Sequence, residues 1–584
     1  NKSRPCCYFF VSFITILSQC RTFSHVSLCQ QHFCKPHFTL KIQNCLTLLE
    51  MMLKLTLLLL SLASAATAAK VAIFLLPLSN SHVIFTIRVA EELARDHDVV
   101  IIRPGINPAA SEIVSKHPRV REFRTAGASA ETFAAFKKSE HDLIWAQVPW
   151  YSWRGLSSGY VNVITEACND MVADDDFMNQ MKEEAFDIAL THSMDACPAA
   201  VIYASRIPQF GYLLSTPLSR IALNHIGIPV LPSIFPGHLL DASNEMTFGQ
   251  RLKNFLLENT QALVSRFLQP ISINAAFRAK YGEQLPSVGE LVTKARFLIA
   301  NVHPDIEFPV PVTSKVTYIG GLAMSNETKK LEEAPLLTID SVNLVAVFIC
   351  KPYASFIEKA EKVVFVSFGT VAEPKDMPLA WKRAFVQLFE SNPSIHFIWR
   401  MDDAVEVPKN VLKRLWHPQN DILGHPKVAA FITHAGYNSL GESIASGTPL
   451  VTVPLFGDQM RNSRLVVHRG FGVRVEKDKL SYETLNVALH TVLEEPSFAA
   501  SAAALNRIVF SSPVRAGDAL RHAINFALEN PEHNRDLPSL PLYQLYSLDI
   551  IFLLTIVPLL MPMLFRWYYW SCCKMAYKEK EKMN

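Results

Sequence analysis

Between Trp416 and Gln459 the chain carries two short apolar runs, each ended by a polar cluster, and few folds accommodate that pattern. Val428 to Thr433 is apolar and stops at His434-Ala435-Gly436, after which Asn438, Ser439 and Glu442 fall on a predicted helix. Pro449 to Phe456 is apolar again and stops at Asp458-Gln459. Two successive strands ending in polar groups place those groups in the crevice where open α/β sheets bind ligands.

The same grammar recurs along the chain. Val71 to Leu76 reads as a buried strand, followed by a Pro77-to-His82 loop, an amphipathic helix through Ala94, and a strand from Val99 to Ile102. Strand, helix and strand at this pitch make a βαβ unit and argue for a parallel sheet. Phe186 to Leu190 is a further buried strand. The second half repeats the unit, with Val363 to Phe368, a helix near Trp381 to Phe389, and Ile395 to Trp399. A length of 584 residues, 49% of them hydrophobic, supplies cores for two or three domains. The net charge of +3 is spread out with no basic stripe, which argues against a nucleic-acid partner. Of the cysteines, only Cys168, Cys197 and Cys350 lie in the body, enough for one bridge at most and without metal spacing.

From Trp416 to Gln459 the order and spacing of these residues resemble the signature of the UDP-glycosyltransferases, with greatest similarity to the animal, invertebrate UDP-glucuronosyltransferases. The resemblance implies a GT-B fold: two Rossmann-like α/β domains facing a cleft, plus one C-terminal transmembrane helix. It assigns the acceptor to residues 70–330, the donor to residues 361–535, and a linker to residues 331–360. It also implies roles. Trp416 stacks on uracil, while Gln419 and Glu442 reach the ribose. His434, Gly436, Asn438 and Ser439 meet the diphosphate, with Ser367, Gly369 and Thr370 as a second phosphate and sugar contact. Asp458 and Gln459 bind sugar hydroxyls, and Arg400 matches a further donor-site arginine. Backbone amides at a helix start are a ready anion site. The expected co-substrate is UDP-glucuronate or UDP-glucose, with no resident cofactor and no metal. The partner is a small lipophilic hydroxylated acceptor, as in detoxification, and sugar transfer inverts the anomeric carbon. A homo- or hetero-oligomer stays open.

His82 follows the first strand, where the family places the base that deprotonates the acceptor; imidazole suits that task because its pKa lies near working pH. An acidic residue normally orients it, and the matching position here is His192; Asp195, three residues on, is the expected substitute. A second departure is Phe308-Pro309-Val310-Pro311, where glucuronate users tend to carry arginine at the third position. The departures keep a second reading in view, a catalytically silent member that binds lipophiles or partners another transferase.

The ends point to a membrane. Residues 51–69 read as a secretory signal, with Lys54, an apolar core from Leu55 to Leu62, and small residues through Ala69. Residues 1–50 are expected to stand upstream of the true start. Residues 545–570 are apolar over about the twenty residues that a bilayer span needs, and Trp567 to Trp570 form an interfacial belt. The lysine-bearing tail, 571–584, is expected in the cytoplasm and the body in the endoplasmic-reticulum lumen, with Lys580 and Lys582 resembling a retrieval signal. The apolar stretch 339–355 reads as an insertion, and Asn326-Glu327-Thr328 beside it as a glycan site.

Overall fold

A computed structural model describes Lys54 and residues 68–145, 153–237, 239–264, 269–322, 353–401, 404–533, 542–545 and 547–583. The upstream residues 1–50, most of the signal region, Asn326 and residues 339–352 lie outside them.

The first domain is built on β1 (Lys70–Phe74), β2 (Asp98–Pro104), β3 (Val120–Thr125), β4 (Ile188–Thr191), β5 (Phe210–Leu214), β6 (Leu298–Ala300) and β7 (Val316–Tyr318). They form one sheet in the order β3-β2-β1-β4-β5-β6-β7, and every pair is parallel. The second domain holds β8 (Lys362–Ser367), β9 (Ile395–Arg400), β10 (Val411–Arg414), β11 (Val428–Thr433), β12 (Leu450–Thr452) and β13 (Gly472–Arg474). Its parallel order is β10-β9-β8-β11-β12-β13. Central strands such as β1, β4, β5 and β8 are apolar along almost their whole length because helices cover both faces. Strand order reverses between β1 and β4 in one sheet and between β8 and β11 in the other. Ligands of open α/β sheets bind at such switch points.

Among the first domain's helices are α1 (Asn80–Leu93), α2 (Ala130–Trp145), α3 (Trp153–Ala173), α4 (Cys197–Ala204) and α5 (Phe248–Leu263). Helix α1 buries Val83, Ile87, Ala90 and Leu93 at helical spacing, which seats it on the sheet. Cys168 and Cys197 form a disulfide that ties α3 to α4. In the second domain are α6 (Gln419–Leu423), α7 (Tyr437–Ser446) and α8 (Gln459–His468), followed by α9 (Ala516–Glu529) and α10 (Leu548–Met583). Gly447, at φ +69°, ends α7 with amide bonds back to Ser443 and Ile444, a left-handed cap that glycine adopts without a Cβ clash.

Packing crosses between the domains at several of the described segments. Trp145, at the end of α2, lies in the second domain's core edge-on to Trp381 at 6.0 Å. Leu520 and Ile524 of α9 join the first domain's core beside Val71 and Leu93. Gln209 donates to the Ala527 carbonyl at 3.0 Å. Sequence order groups α9 with the second domain, but its packing is with the first.

Tyr353 falls inside the stretch expected to be an insertion, yet it is fully buried and its hydroxyl meets His417 Nδ1 at 2.9 Å. That end of the stretch is an integral part of the core. Helix α10 carries Pro558 and Pro562 within one continuous helix, and Leu548–Met575 is long and apolar enough to cross a membrane.

Candidate functional site

At the second sheet's switch point, Ser367 ends β8 directly opposite Thr433, the last residue of β11. The chain leaves β8 through Gly369, at φ +73°, and the exposed Thr370. His434 follows β11, and its imidazole is held between two glycines. A Cβ on Gly369 would sit 2.6 Å from His434 Cε1, and one on Gly436 would sit 2.5 Å from Nε2. Thr433 Oγ1 lies 3.2 Å from His434 Nδ1. Arg400, at the end of β9, donates to the Gly369 carbonyl and so props the turn. Burial, with a smaller contribution from the Arg400 charge, pushes His434 down to about 4, so its ring is neutral at pH 7. Ala435 takes φ +65°, a left-handed conformation that a residue with a Cβ seldom adopts. Such strain persists only where surrounding contacts hold it; here the buried Asn462 donates to the Ala435 carbonyl at 3.0 Å.

Gly369→Ala should therefore be severe. Left-handed backbone costs a side-chain-bearing residue about 1–2 kcal/mol, before any displacement of His434. UDP binding by calorimetry is expected to weaken at least tenfold; an unchanged Kd would show that the imidazole does not serve the nucleotide.

Trp416 stands 63% exposed, its ring available to a planar partner. The backbone beneath it is fixed by His417, whose ring bridges the Tyr353 hydroxyl and the Trp399 carbonyl at 2.9 and 3.0 Å. Gln419, the first residue of α6, donates from Nε2 to Glu442 Oε2 on α7. Burial raises Glu442 to about 7, against the Gln419 hydrogen bond and the charge of Arg88, which lower it. Gly436 caps α7, Ser439 is buried in its first turn, and Asn438 Oδ1 accepts from Asn301 Nδ2 of the first domain at 3.5 Å. These residues therefore converge on one strand-end crevice and one helix start.

A pH effect follows from Glu442. If two ribose hydroxyls bind Glu442, they need the carboxylate as acceptor, and that form is lost as pH falls through about 7. The kcat/KM for the donor should then fall below neutrality, and Glu442→Gln should give a low, flat profile. Persistence of the acid limb in that variant would sink the assignment.

Asp458 and Gln459 divide their work. Asp458 accepts from Asn462 Nδ2 at 2.8 Å, and burial raises its pKa. Gln459 turns its Oε1 inward, accepting from the amides of Leu455 and Phe456 at 2.9 and 3.1 Å. Its oxygen thus shapes the Leu455–Asp458 loop, and only its amide nitrogen remains to meet a ligand. Asn462 stands four residues after Asp458, the helical spacing at which two side chains meet. Arg461 and Glu307, a fully buried pair at 2.7 Å joining α8 to the first domain, left no trace in any motif.

At the first sheet's switch point, His82 lies in the first turn of α1 and His192 directly follows β4. Their rings stack, with centroids 6.0 Å apart and planes at 11°. Burial lowers His82 to about 4, offset in part by a hydrogen bond to the Leu76 backbone. Burial first, and the neighbouring His82 second, lower His192 to about 3. Nδ1 of His82 and Nε2 of His192 are buried without a side-chain partner among the described residues. Asp195, the expected substitute for the missing acid, accepts through Oδ1 from the Cys197 amide at 2.9 Å, at the start of α4, and its charge bears on Tyr160 and Tyr212. Burial raises it to about 7.

Comparison with known proteins identifies the family. The family model described as UDP-glucoronosyl and UDP-glucosyl transferase matches residues 71–583. A Caenorhabditis elegans protein named for UDP-glucuronosyltransferase activity, ugt-48, is 26% identical over 529 residues, covering 87% of this chain and 95% of its own. Rabbit (Oryctolagus cuniculus) UDP-glucuronosyltransferase 2B14 is 28% identical, covering 84% and 91%. Human (Homo sapiens) UDP-glucuronosyltransferase 1A3 is 25% identical, covering 90% and 94%. Nematode and mammalian relatives lie at similar distances, so the invertebrate affinity expected from the sequence gives way to a relation with both. Among solved structures, the glycosyltransferase of kitacinnamycin superposes with a TM-score of 0.51 at 17% identity, over 79% of this chain and 98% of its own, a likeness of fold.

Proposed function

Since this chain belongs to the UDP-glucoronosyl and UDP-glucosyl transferase family, we propose that it moves glucuronic acid or glucose from a UDP-sugar to the hydroxyl of a small lipophilic acceptor, with inversion. The observation that carries this reading is the neutral His434 wedged between Gly369 and Gly436 at the start of α7. A diphosphate there would meet backbone amides and an imidazole that adds no competing charge. Trp416 would stack on uracil, Gln419 and Glu442 would hold the ribose, and Asp458, with the nitrogen of Gln459, would reach sugar hydroxyls. Ser367, Gly369, Thr370, Asn438 and Ser439 would complete the phosphate and sugar contacts, with Arg400 supporting the turn.

The chemistry is a single displacement. His82 accepts the acceptor's hydroxyl proton, the oxygen bonds to the anomeric carbon from the far face, and the bond to UDP breaks with its electron pair. The negative charge that gathers on the diphosphate falls at the positive end of α7. Val310 stands where glucuronate users tend to carry arginine, so glucose is as suitable a donor as glucuronate. The Leu548–Met575 helix would anchor the body to the endoplasmic-reticulum membrane, tail outward. Microsomes given radiolabelled UDP-glucuronate or UDP-glucose and a panel of phenols should form one labelled conjugate series. UDP binding with no transfer to any acceptor would favour the silent reading, which the lone His82–His192 pair keeps alive.

A further inference from the structure

Helix α10 is longer than the hydrocarbon of a bilayer requires. The span Leu548–Met575 has 28 residues, which at 1.5 Å each make about 42 Å, the thickness of a bilayer with both headgroup layers. The uncharged middle, 550–565, fits the hydrocarbon, and Trp567 to Trp570 fit the headgroup level. Two cysteines come next. Cys572 and Cys573 fall in the last turn of the span, about 3–5 Å beyond Trp570 along the axis. Both are free, Cys572 partly exposed and Cys573 fully. Lys574 folds back over Trp570, its Nζ 3.9 Å from the ring centre. Cys572 lies about 160° around the helix from Trp570, so that pair leaves its thiol uncovered. The two thiols cannot bridge one another, because adjacent Cα atoms are about 3.8 Å apart and a disulfide needs about 4.4–6.8 Å. The body's Cys168 and Cys197, by contrast, are bridged. An oxidising lumen for the body and a reducing cytoplasm for the tail account for both states. Charge agrees: Asp549 stands at one end of α10, and Lys574, Lys578, Lys580 and Lys582 at the other, a bias that puts the cysteine end in the cytoplasm.

We propose that Cys572 and Cys573 are S-acylation sites, each taking a long-chain fatty acyl group from acyl-coenzyme A at the cytoplasmic face of the membrane. The inference rests on the anchoring role given to α10 and deepens it. Thiols beside a spanning helix are where such groups are attached. The step is an exchange of thioesters. The cysteine sulfur, its proton lost, bonds to the acyl carbonyl carbon. The bond from that carbon to the sulfur of coenzyme A breaks with its electron pair, and the released thiolate takes up the proton. One thioester replaces another, so no oxidant or reductant enters. Cys572 and Cys573 stand one turn after Tyr568 and Tyr569, nearly in line with them along the helix. An acyl chain attached at the headgroup edge can therefore turn back into the hydrocarbon alongside those rings. Two such chains would hold the last turn of the span at the surface, with Lys574 against anionic headgroups. Because a thioester can be hydrolysed, the hold is reversible.

Cells that express the full chain and are fed an alkyne-tagged palmitate test this. The isolated chain, coupled to a fluorophore through the alkyne, should carry label that neutral hydroxylamine removes, as it does from a thioester. Cys572→Ser with Cys573→Ser should abolish the label, and either single variant should keep part of it. Sugar transfer by the double variant in detergent should match the parent, which shows it folded, since neither residue stands in the proposed site. Label that persists in the double variant, or that resists hydroxylamine, would overturn the proposal. So would an absence of label in chains that stay in the membrane after alkaline extraction. Dimers on a non-reducing gel that the double variant lacks, with no label on the parent, would give the thiols to a bridge between copies instead. In sealed microsomes treated with hydroxylamine, an impermeant maleimide should tag the parent and not the double variant. Tagging only after detergent would put the tail in the lumen and sink the acylation together with the orientation of α10. Chains that leave the membrane on extraction would remove the anchor and the acylation with it; neither result touches the transferase reading.

Discussion

His82→Ala should lower sugar transfer by roughly 10²–10⁴-fold, the range that general-base catalysis supplies, while the Kd for UDP-sugar stays unchanged. The two quantities separate because every proposed donor contact stands on the second sheet, whereas His82 stands on α1 of the first. Burial holds His82 near 4, so the ring is free to take a proton at neutral pH but takes it weakly. The stacked His192 is neutral at working pH and offers the imidazolium that forms no counter-charge, where a carboxylate would stabilise it. His192→Asp should therefore raise turnover and shift the acid limb of kcat upward. Asp195→Asn should change little, because asparagine can accept from the Cys197 amide as aspartate does. Full activity in His82→Ala would discard the mechanism. A large loss in Asp195→Asn would restore that carboxylate as partner of the base.

Much of this was legible in the chain. The strands β1, β8, β9 and β11 could be read because burial on both faces leaves near-continuous apolar runs, and the strand-end crevice because its polar groups end those runs in sequence order. Contacts depending on the third dimension were not legible. Asp195 lies three residues past the expected acid position, and spacing alone could not reveal that its carboxylate turns to the start of α4. The oxygen of Gln459 reads as a sugar contact until it is seen bound to the amides of Leu455 and Phe456. Helix α9 follows the second domain in order but buries Leu520 and Ile524 in the first, a choice made by apolar faces meeting across the fold. Tyr353 belongs to an apolar run with no periodic signal, and only its partner His417 explains it. For α9 and Tyr353 the deciding partner is remote in sequence, so local pattern could not select it.

Glu307→Ala and Arg461→Ala should each cost about 3–5 kcal/mol of stability, as when one partner of a buried ion pair is removed. Arg461 and Glu307 are 0% and 2% exposed and meet at 2.7 Å. Glu307 also accepts from the Phe308 amide, and the guanidinium lies between Phe308 and Phe235, 4.9 and 5.5 Å from their ring centres. With Glu307 gone, a buried cation loses its paired carboxylate; with Arg461 gone, a buried carboxylate loses its paired cation. The double variant Glu307→Leu with Arg461→Met should recover most of the loss, because neither charge is then stranded. At about 2–4 °C per kcal/mol for domains of this size, each single variant should melt on the order of 10 °C lower in detergent. The same change should be felt at the donor site, since Arg461 sits on α8 two residues after Gln459, and loosening it frees the helix start that carries Asp458. Donor KM is thus expected to rise in the single variants and to stay raised in the double variant, which restores stability but not the grip on Phe235 and the Pro236 carbonyl. Single variants that melt within a degree of the parent would show that this pair does not hold the domains together. A double variant as unstable as either single one would place the loss in packing and not in charge.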